Sequence, residues 1–245
     1  MNKEINALVL KTTPYKESSL LLTVLTKENG KQNILCRGVK KGRRGKLFAE
    51  KFAYSKMRIY VGRGVPVVDE AELTESFYPL REDIEKLSLA DYFCEVALSV
   101  PFGGGDENLL RLLLNSFWML CFTQTNPVII KTVFELKFSQ QEGFAPSEFD
   151  CRCGKKAEKW SFSQGFLCSD CAEGDGVYVP SVVVNAVKNV LCHNGKGAYR
   201  IDLDEKSLFF LSEITEKYLE YHTDKRFETL KYYRKFTEAD FGKNT

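Results

Sequence analysis

The chain has 245 residues, 44% of them hydrophobic and 28% charged, which admits one large or two modest folded domains and excludes long disorder. The N-terminus MNKEINALVL lacks the apolar core of a signal peptide, and no apolar run reaches membrane-spanning length, so a cytoplasmic chain with reduced thiols and no membrane partner is expected. The net charge of +2 hides an asymmetry: residues 1–68 carry fifteen Lys/Arg against four Glu, a net +11, which leaves −9 for the remainder.

The first elements read as strands. Ile5 to Thr13 and Ser18 to Thr26 are rich in branched and apolar residues, and Gln32 to Cys36 returns after the turn Glu28-Asn29-Gly30-Lys31. The Asn-Gly pair there is expected to supply positive φ angles. Residues 37–46 follow with six cations and three glycines and no apolar period, which predicts a flexible basic loop. From Phe52 to Val61 the pattern alternates, with Phe52, Tyr54, Lys56, Arg58 and Tyr60 on one side and Ala53, Ser55, Met57, Ile59 and Val61 on the other. Gly62 to Gly64 turns the chain into a last strand, Val65 to Leu73. Five short strands, mostly in hairpin order, predict a small antiparallel barrel. An OB-fold is favoured over an SH3-like barrel, although strand number alone does not separate them.

Beyond Tyr78 the period becomes helical. Ile84, Leu87, Cys94 and Leu98 mark a first helix from about Leu80, which Pro101 and the glycines Gly103 to Gly105 end as a linker. Asp106 is placed to cap a second helix, Glu107 to Phe122, and Pro127 opens a third that Gly143 stops. Pro180 to Cys192, with Ser181 as its cap, and Lys206 to Thr223 read as two more helices. Asp224 to Lys235 is a basic and aromatic tail. The composition shift at 76–80 divides the chain into domains 1–78 and 79–245.

Between the third and fourth helices stand two thiol pairs, Cys151-Arg-Cys153 and Cys168-Ser-Asp-Cys171, separated by fourteen residues. Two such pairs can close a tetrahedral shell around one Zn2+, each folding back as a knuckle, and Gly154 suits the tight return. Two disulfides or four unrelated thiols are the alternatives, which a reducing compartment disfavours. With all four positions filled, such a zinc ion is structural, with no place for water or substrate. Trp160, Phe162 and Phe166 are placed to shield it. Cys36, Cys94, Cys121 and Cys192 read as buried apolar residues.

No catalytic residue is assigned. His193 and His222 have no partner pattern, and no phosphate loop, nucleophile elbow or His-pair metal motif occurs. The basic loop is the better functional signal. Arg37, Lys40, Lys41, Arg43, Arg44 and Lys46 are candidate phosphate contacts, with a solvated loop as the plain alternative. Tyr54 and Tyr60 could stack on bases or simply pack on the sheet.

The chain resembles the bacterial recombination mediator family RecO over essentially its whole length. The most specific stretch runs from Phe134-Glu-Leu-Lys-Phe138 through Glu142-Gly-Phe-Ala-Pro146 into Phe149-Asp-Cys-Arg-Cys-Gly154. Phe162-Ser-Gln-Gly165 before Cys168 and Cys171 resembles the second half of the motif. Ala7-Leu-Val-Leu-Lys11, Tyr15-x-Glu17-x-Ser19, Arg37-Gly-Val-Lys40 and Leu80-Arg-Glu-Asp83 are also similar to that family. The usual first pair of the family is C-x-x-C, whereas this chain has C-x-C.

The resemblance implies an α+β protein: an N-terminal OB-fold β-barrel, then an α-helical domain with an inserted four-cysteine zinc motif at 151–171. It implies a DNA repair protein that is not an enzyme, binds single- and double-stranded DNA and anneals complementary strands. It implies RecR and the C-terminal tail of the single-strand binding protein as partners, with RecF and RecA engaged indirectly, and a nucleoid location. A zinc-stabilised RNA-binding or transcription-associated adaptor would use the same barrel on a different polymer.

Overall fold

A computed structural model describes residues 1–38, 47–105 and 107–241, with backbone alone for 236–241. Five strands form a closed barrel: β1 (Asn2–Tyr15), β2 (Ser19–Thr26), β3 (Gly30–Cys36), β4 (Tyr54–Tyr60) and β5 (Val67–Glu75), in the order β1-β2-β3-β5-β4. Neighbours are antiparallel except β3 and β5, which meet in parallel at Leu35 and Val67. This is the Greek-key closure of an OB-fold. The long β1 serves two partners, pairing with β4 through Asn2–Leu8 and with β2 through Ala7–Tyr15, with its register shifting between Val9 and Lys11.

Ile5, Ala7, Val9, Leu22, Val24, Ile34, Met57 and Ile59 fill the barrel, as period-two strands require. Yet Leu8 and Leu10, which alternate with them, are also fully buried. The run Ala7-Leu-Val-Leu10 is therefore covered on both faces, and helix α1 (Ile84–Ser99) supplies an outer cover. Phe52 does not belong to β4 as the alternation suggests. It sits before the strand with φ +72° and turns inward to meet Phe117 edge-on at 5.5 Å. The β2–β3 turn takes positive φ at Gly30 alone, while the side chain of Asn29 accepts from Lys3 Nζ at 3.0 Å.

The described chain forms two compact units, residues 1–121 with 227–245 and residues 122–226. Composition changes where strands give way to helices, but compactness draws a different line. Helices α1, α2 (Glu107–Phe122) and α6 (Leu230–Phe241) belong largely with the barrel. Asp83 caps α1 by accepting from Glu85 N at 2.9 Å and Lys86 N at 3.2 Å. Asp106, the expected cap of α2, lies outside the described residues. The first helix buries Cys94 of the expected stripe together with Leu89, Phe93, Val96 and Ala97, whereas Ile84 at its start is exposed.

The tail read as basic and aromatic contains α6. The turn that leads into it is held by another helix: the Glu95 carboxylate accepts from Glu228 N at 3.0 Å and Thr229 N at 2.8 Å. Phe227, Leu230 and Tyr233 are buried, with Phe227 edge-on to Tyr92 at 5.6 Å. The glycine linker of residues 103–105 is a docking element as well. Gly103 N donates to Lys31 O at 3.1 Å, and Lys31 Nζ lies 4.6 Å from the Phe102 ring centroid while donating to Leu98 O.

The second unit packs α3 (Pro127–Gln141), α4 (Ser181–Cys192) and α5 (Glu205–Thr223) with a three-stranded sheet in the order β7-β6-β8. Those strands are β6 (Lys159–Ser161), β7 (Gly165–Leu167) and β8 (Val177–Tyr178). Asn126 caps α3 and Pro127 occupies its first turn. Ser181 is the first residue of α4 rather than its cap; Pro180 holds that place. Inside the unit, Lys131 Nζ lies 2.9 Å from Glu135 Oε1 and 3.4 Å from Glu216 Oε2, and donates to Ser212 O at 2.9 Å. All three charged side chains are buried.

Candidate metal centre and nucleic-acid interface

The four thiols of the two pairs come together. One ligand atom from each of Cys151, Cys153, Cys168 and Cys171 lies within 4.8 Å of all the others, and the Cys153 and Cys168 sulfurs are 3.7 Å apart. A tetrahedron with Zn–S bonds of about 2.3 Å has edges of roughly 3.8 Å, so four sulfurs at these separations can surround one such ion. The short C-x-C pair still forms a knuckle. Cys151 N donates to Lys155 O at 2.9 Å and Gly154 N returns to Cys151 O at 2.8 Å, with Gly154 at φ +84°. On the second pair, Ala172 N donates to Cys168 O at 3.1 Å. The Lys155–Asp170 ion pair, 2.7 Å, ties one knuckle to the other at the surface.

The electrostatics suit a cation. Backbone N–H groups of Cys153 and Cys168 aimed at the Cys151 sulfur hold that thiol down at about 6. Hydrogen bonding to the neighbouring sulfurs, Cys151 first, pushes the Cys171 thiol up to about 12. Cys151 is thus the favoured thiolate and Cys171 the thiol that holds its proton. A bound metal ion would turn the crowded set into four ligands, releasing their protons.

The aromatic residues between the pairs do not shield the sulfurs. Trp160, Phe162 and Phe166 pack with Val183, Val187 and Tyr218 of the helices, while Leu167 and Ala172 pack beside Cys151 and Cys168. Strand alternation explains the split: Phe166 and Leu167 are neighbours on β7 and point to opposite faces. The hairpin is therefore a bridge with the helical core on one side and the four sulfurs on the other.

On the barrel, Arg37 lies exposed just beyond β3; Lys40, Lys41, Arg43, Arg44 and Lys46 lie outside the described residues. The register shows which connections adjoin the end of β3. Cys36 pairs with Leu20 at the start of β2, next to the β1–β2 turn, and Leu35 pairs with Val67 at the end of the β4–β5 loop. The first turn carries exposed Tyr15 and Lys16, and the second carries exposed Arg63 beside Tyr60, which is 55% exposed. OB-folds bind oligonucleotides through strands β2–β3 and these two loops. Tyr54 is half-buried, and burial followed by the nearby Glu28 raises its phenol, so the open ring of the expected pair is Tyr60.

Several other cations of the basic N-terminal part are matched by acids. Lys56 pairs with Glu4 at 2.9 Å, Arg58 with Asp69 at 3.1 Å and Glu70 at 2.5 Å, Lys51 with Asp91 at 2.6 Å, and Lys27 with Glu107 at 3.1 Å. Most of those acids lie beyond residue 68, so the sequence asymmetry overstates the charge of the folded surface. Lys16 and Arg63 escaped the sequence reading because scattered single cations carry no local signal; their position in the two loops of an OB-fold does. His193 Nδ1 lies 2.9 Å from Asn189 O and His222 Nε2 lies 2.8 Å from Phe162 O.

Among the described residues, no helix is long and apolar enough to cross a membrane. The sequence pattern described as recombination protein O N terminal matches residues 1–77, and the one described as recombination protein O C terminal matches residues 81–231. A DNA repair protein RecO of Acetivibrio thermocellus is 26% identical over 234 residues, covering 92% of this chain and 93% of its own length. Its counterpart in Desulforamulus reducens is 27% identical over 252 residues, covering 99% and 98%. That of Oceanobacillus iheyensis is 29% identical over 180 residues, covering 71% and 70%. With both patterns matched in chain order on a barrel and helices of the expected kind, the chain belongs to the RecO family of DNA repair and recombination proteins.

Proposed function

We propose that this chain is a non-enzymatic DNA-binding recombination mediator. It holds single- and double-stranded DNA on the barrel, anneals complementary strands and, with RecR, helps to load RecA onto strands coated by single-strand binding protein. The observation that carries the reading is that exposed Tyr15 and Lys16 stand at the β1–β2 turn, and exposed Tyr60 and Arg63 at the β4–β5 loop, the two binding loops of an OB-fold, with Arg37 just beyond β3, in a RecO-family chain. Annealing needs no reacting group. It needs two strands neutralised while their bases stay free to pair, and cations with exposed rings supply that. RecR, the tail of the single-strand binding protein, and indirectly RecF and RecA are the partners that this reading includes. The site of action is the cytoplasm, at the nucleoid.

The cationic segment Arg37, Lys40, Lys41, Arg43, Arg44 and Lys46 is proposed to contact phosphates. If all six side chains engage a single strand, the logarithm of affinity falls against the logarithm of salt with a slope of about −4, at roughly −0.7 per contact. Replacing the six by alanine should flatten the slope by that amount while strand annealing slows. An unchanged slope in fluorescence anisotropy across a salt series would remove DNA contact from this segment. Competition with RNA of the same sequence separates a DNA mediator from an RNA-binding adaptor.

For the metal centre we propose one structural Zn2+ per chain, held by Cys151, Cys153, Cys168 and Cys171, with its fourfold thiolate shell closed to substrate. Elemental analysis should return close to one zinc per chain, and Cys153→Ser should lower that content and loosen residues 150–178 in hydrogen exchange. A wild-type protein with no metal and four freely titrating thiols at those positions would contradict the assignment.

A further inference from the structure

On the face of the β6–β8 sheet beside the end of α5 is a cleft of about 330 Å³ that the nucleic-acid reading does not use. It is lined by Trp160, Phe162, Asp175, Val177 and Tyr221, with Ser163 and Gly176 completing it. Its aromatic walls are not parallel. Phe162 meets Trp160 edge-on, with centroids 6.4 Å apart and 85° between the planes, and meets Tyr221 at 5.9 Å and 58°. Trp160 is wholly buried and forms the floor, whereas Tyr221 is 56% exposed at the rim. Val177, on β8, is an exposed apolar residue of the lining.

One anionic group stands in this aromatic setting. Asp175 Oδ2 accepts from Ser161 Oγ at 2.5 Å. That bond, then the Gly176 N–H and Lys159, keep the carboxyl below its ordinary range, so it stays charged at neutral pH. The loop that carries it lies close against the sheet: a Cβ on Gly176 would lie 2.9 Å from Ser161 N and 3.0 Å from Trp160 O. The carboxylate is therefore held against the sheet beside the rings.

We infer that this cleft binds an arginine side chain from a basic segment of a partner protein, its guanidinium over the Phe162 and Tyr221 rings and its N–H groups on the Asp175 carboxylate. Charge and shape select the occupant. Ring faces attract a cation, a planar guanidinium stacks where a rounded ammonium cannot, and a carboxylate accepts its paired donors. A nucleic-acid strand would bring phosphates toward Asp175, with Lys159 as the nearby opposing charge, and is disfavoured. The cleft is lined by residues of the unit 122–226 and shares none with the DNA contact proposed for the barrel.

The test uses the full-length, zinc-loaded protein and follows the indole N–H resonance of Trp160, one of two tryptophans, assigned with a Trp118→Phe variant. N-acetyl-arginine amide should move the Trp160 signal saturably, and the uncharged isostere N-acetyl-citrulline amide should not. Asp175→Asn keeps an acceptor for Ser161 and should weaken arginine binding about tenfold, the loss of one charge-assisted hydrogen bond. Tyr221→Ala, at an exposed position, should weaken it as well. Equal responses to arginine and citrulline, or binding that is indifferent to Asp175→Asn, would overturn the inference. A signal that moves with a deoxynucleotide but not with arginine would instead make the cleft a nucleobase site and overturn it too.

Discussion

Gly30→Ala should destabilise the unit of residues 1–121 and 227–245 by about 3 kcal/mol or more, seen as a large fall in its urea midpoint. Two independent costs add at this position. Gly30 has φ +57°, a region that costs an L-residue on the order of 1–2 kcal/mol. Its missing Cβ would also fall 1.8 Å from Gly104 O and 3.0 Å from Gly103 O. Both are backbone atoms, so no rotamer relieves the overlap, and overpacking adds roughly 1–3 kcal/mol. The same turn meets the same loop again at Gly105, whose Cβ would lie 2.8 Å from Lys27 O. The β2–β3 turn and the α1–α2 connection thus interlock through backbone. Gly64→Ala is the control, because nothing lies within 4 Å of its Cβ position, and it should leave the midpoint nearly unchanged. If Gly30→Ala proved as mild as Gly64→Ala, the interlock would not exist in solution.

Lys131→Met should cost about 3–5 kcal/mol, because it leaves two carboxylates in the interior of the second unit without their cation. Lys131 is 2% exposed, Glu135 is 0% and Glu216 is 5%. Thr215 Oγ1 donates to Glu135 Oε2 at 2.7 Å, so part of the carboxylate remains satisfied after the change. The residual charge is what costs. Replacing Lys131 and Glu135 together by Met should be much milder than the sum of the two single changes, since the paired charges leave together. Additive losses in thermal unfolding would mean that the two side chains do not interact. Methionine keeps the length of the lysine stem, so packing changes little and the comparison isolates charge.

These two positions also show where sequence reasoning stops. Lys131 and Glu135 stand four apart on a helix, the spacing of an ordinary solvated ion pair. Only the packing of α5 against α3 puts them in the core, through Ser212, Thr215 and Glu216 eighty residues later. The glycines at 103–105 read as a linker for a similar reason: their use depends on the turn at Gly30, more than seventy residues upstream. Phe52 fits the alternation of β4 by residue type, yet its partner is Phe117 on a helix.

Other features were local and therefore legible. The barrel strands follow from two-residue periodicity and a turn at Gly30, and the observed register keeps Met57 and Ile59 inside with Tyr60 outside. The thiol quartet follows from spacing, because each knuckle is made by a few adjacent residues. The aromatic residues of the hairpin were different. Composition places Trp160, Phe162 and Phe166 between the cysteines, but which side of the hairpin faces the helices is a tertiary matter, and it sends them away from the sulfurs.

The sequence by itself determined the strands of the barrel, the gathering of the four thiols and the family, since each is written in short-range pattern, spacing or motif. Only the tertiary structure decided that α6 returns to the barrel unit, that acids beyond residue 68 neutralise several N-terminal cations, and that Lys16 and Arg63 fall in the β1–β2 and β4–β5 connections of a closed five-stranded barrel. Those outcomes depend on contacts between segments far apart in the chain. No local preference encodes such partners; the free energy of burying one surface against another selects them.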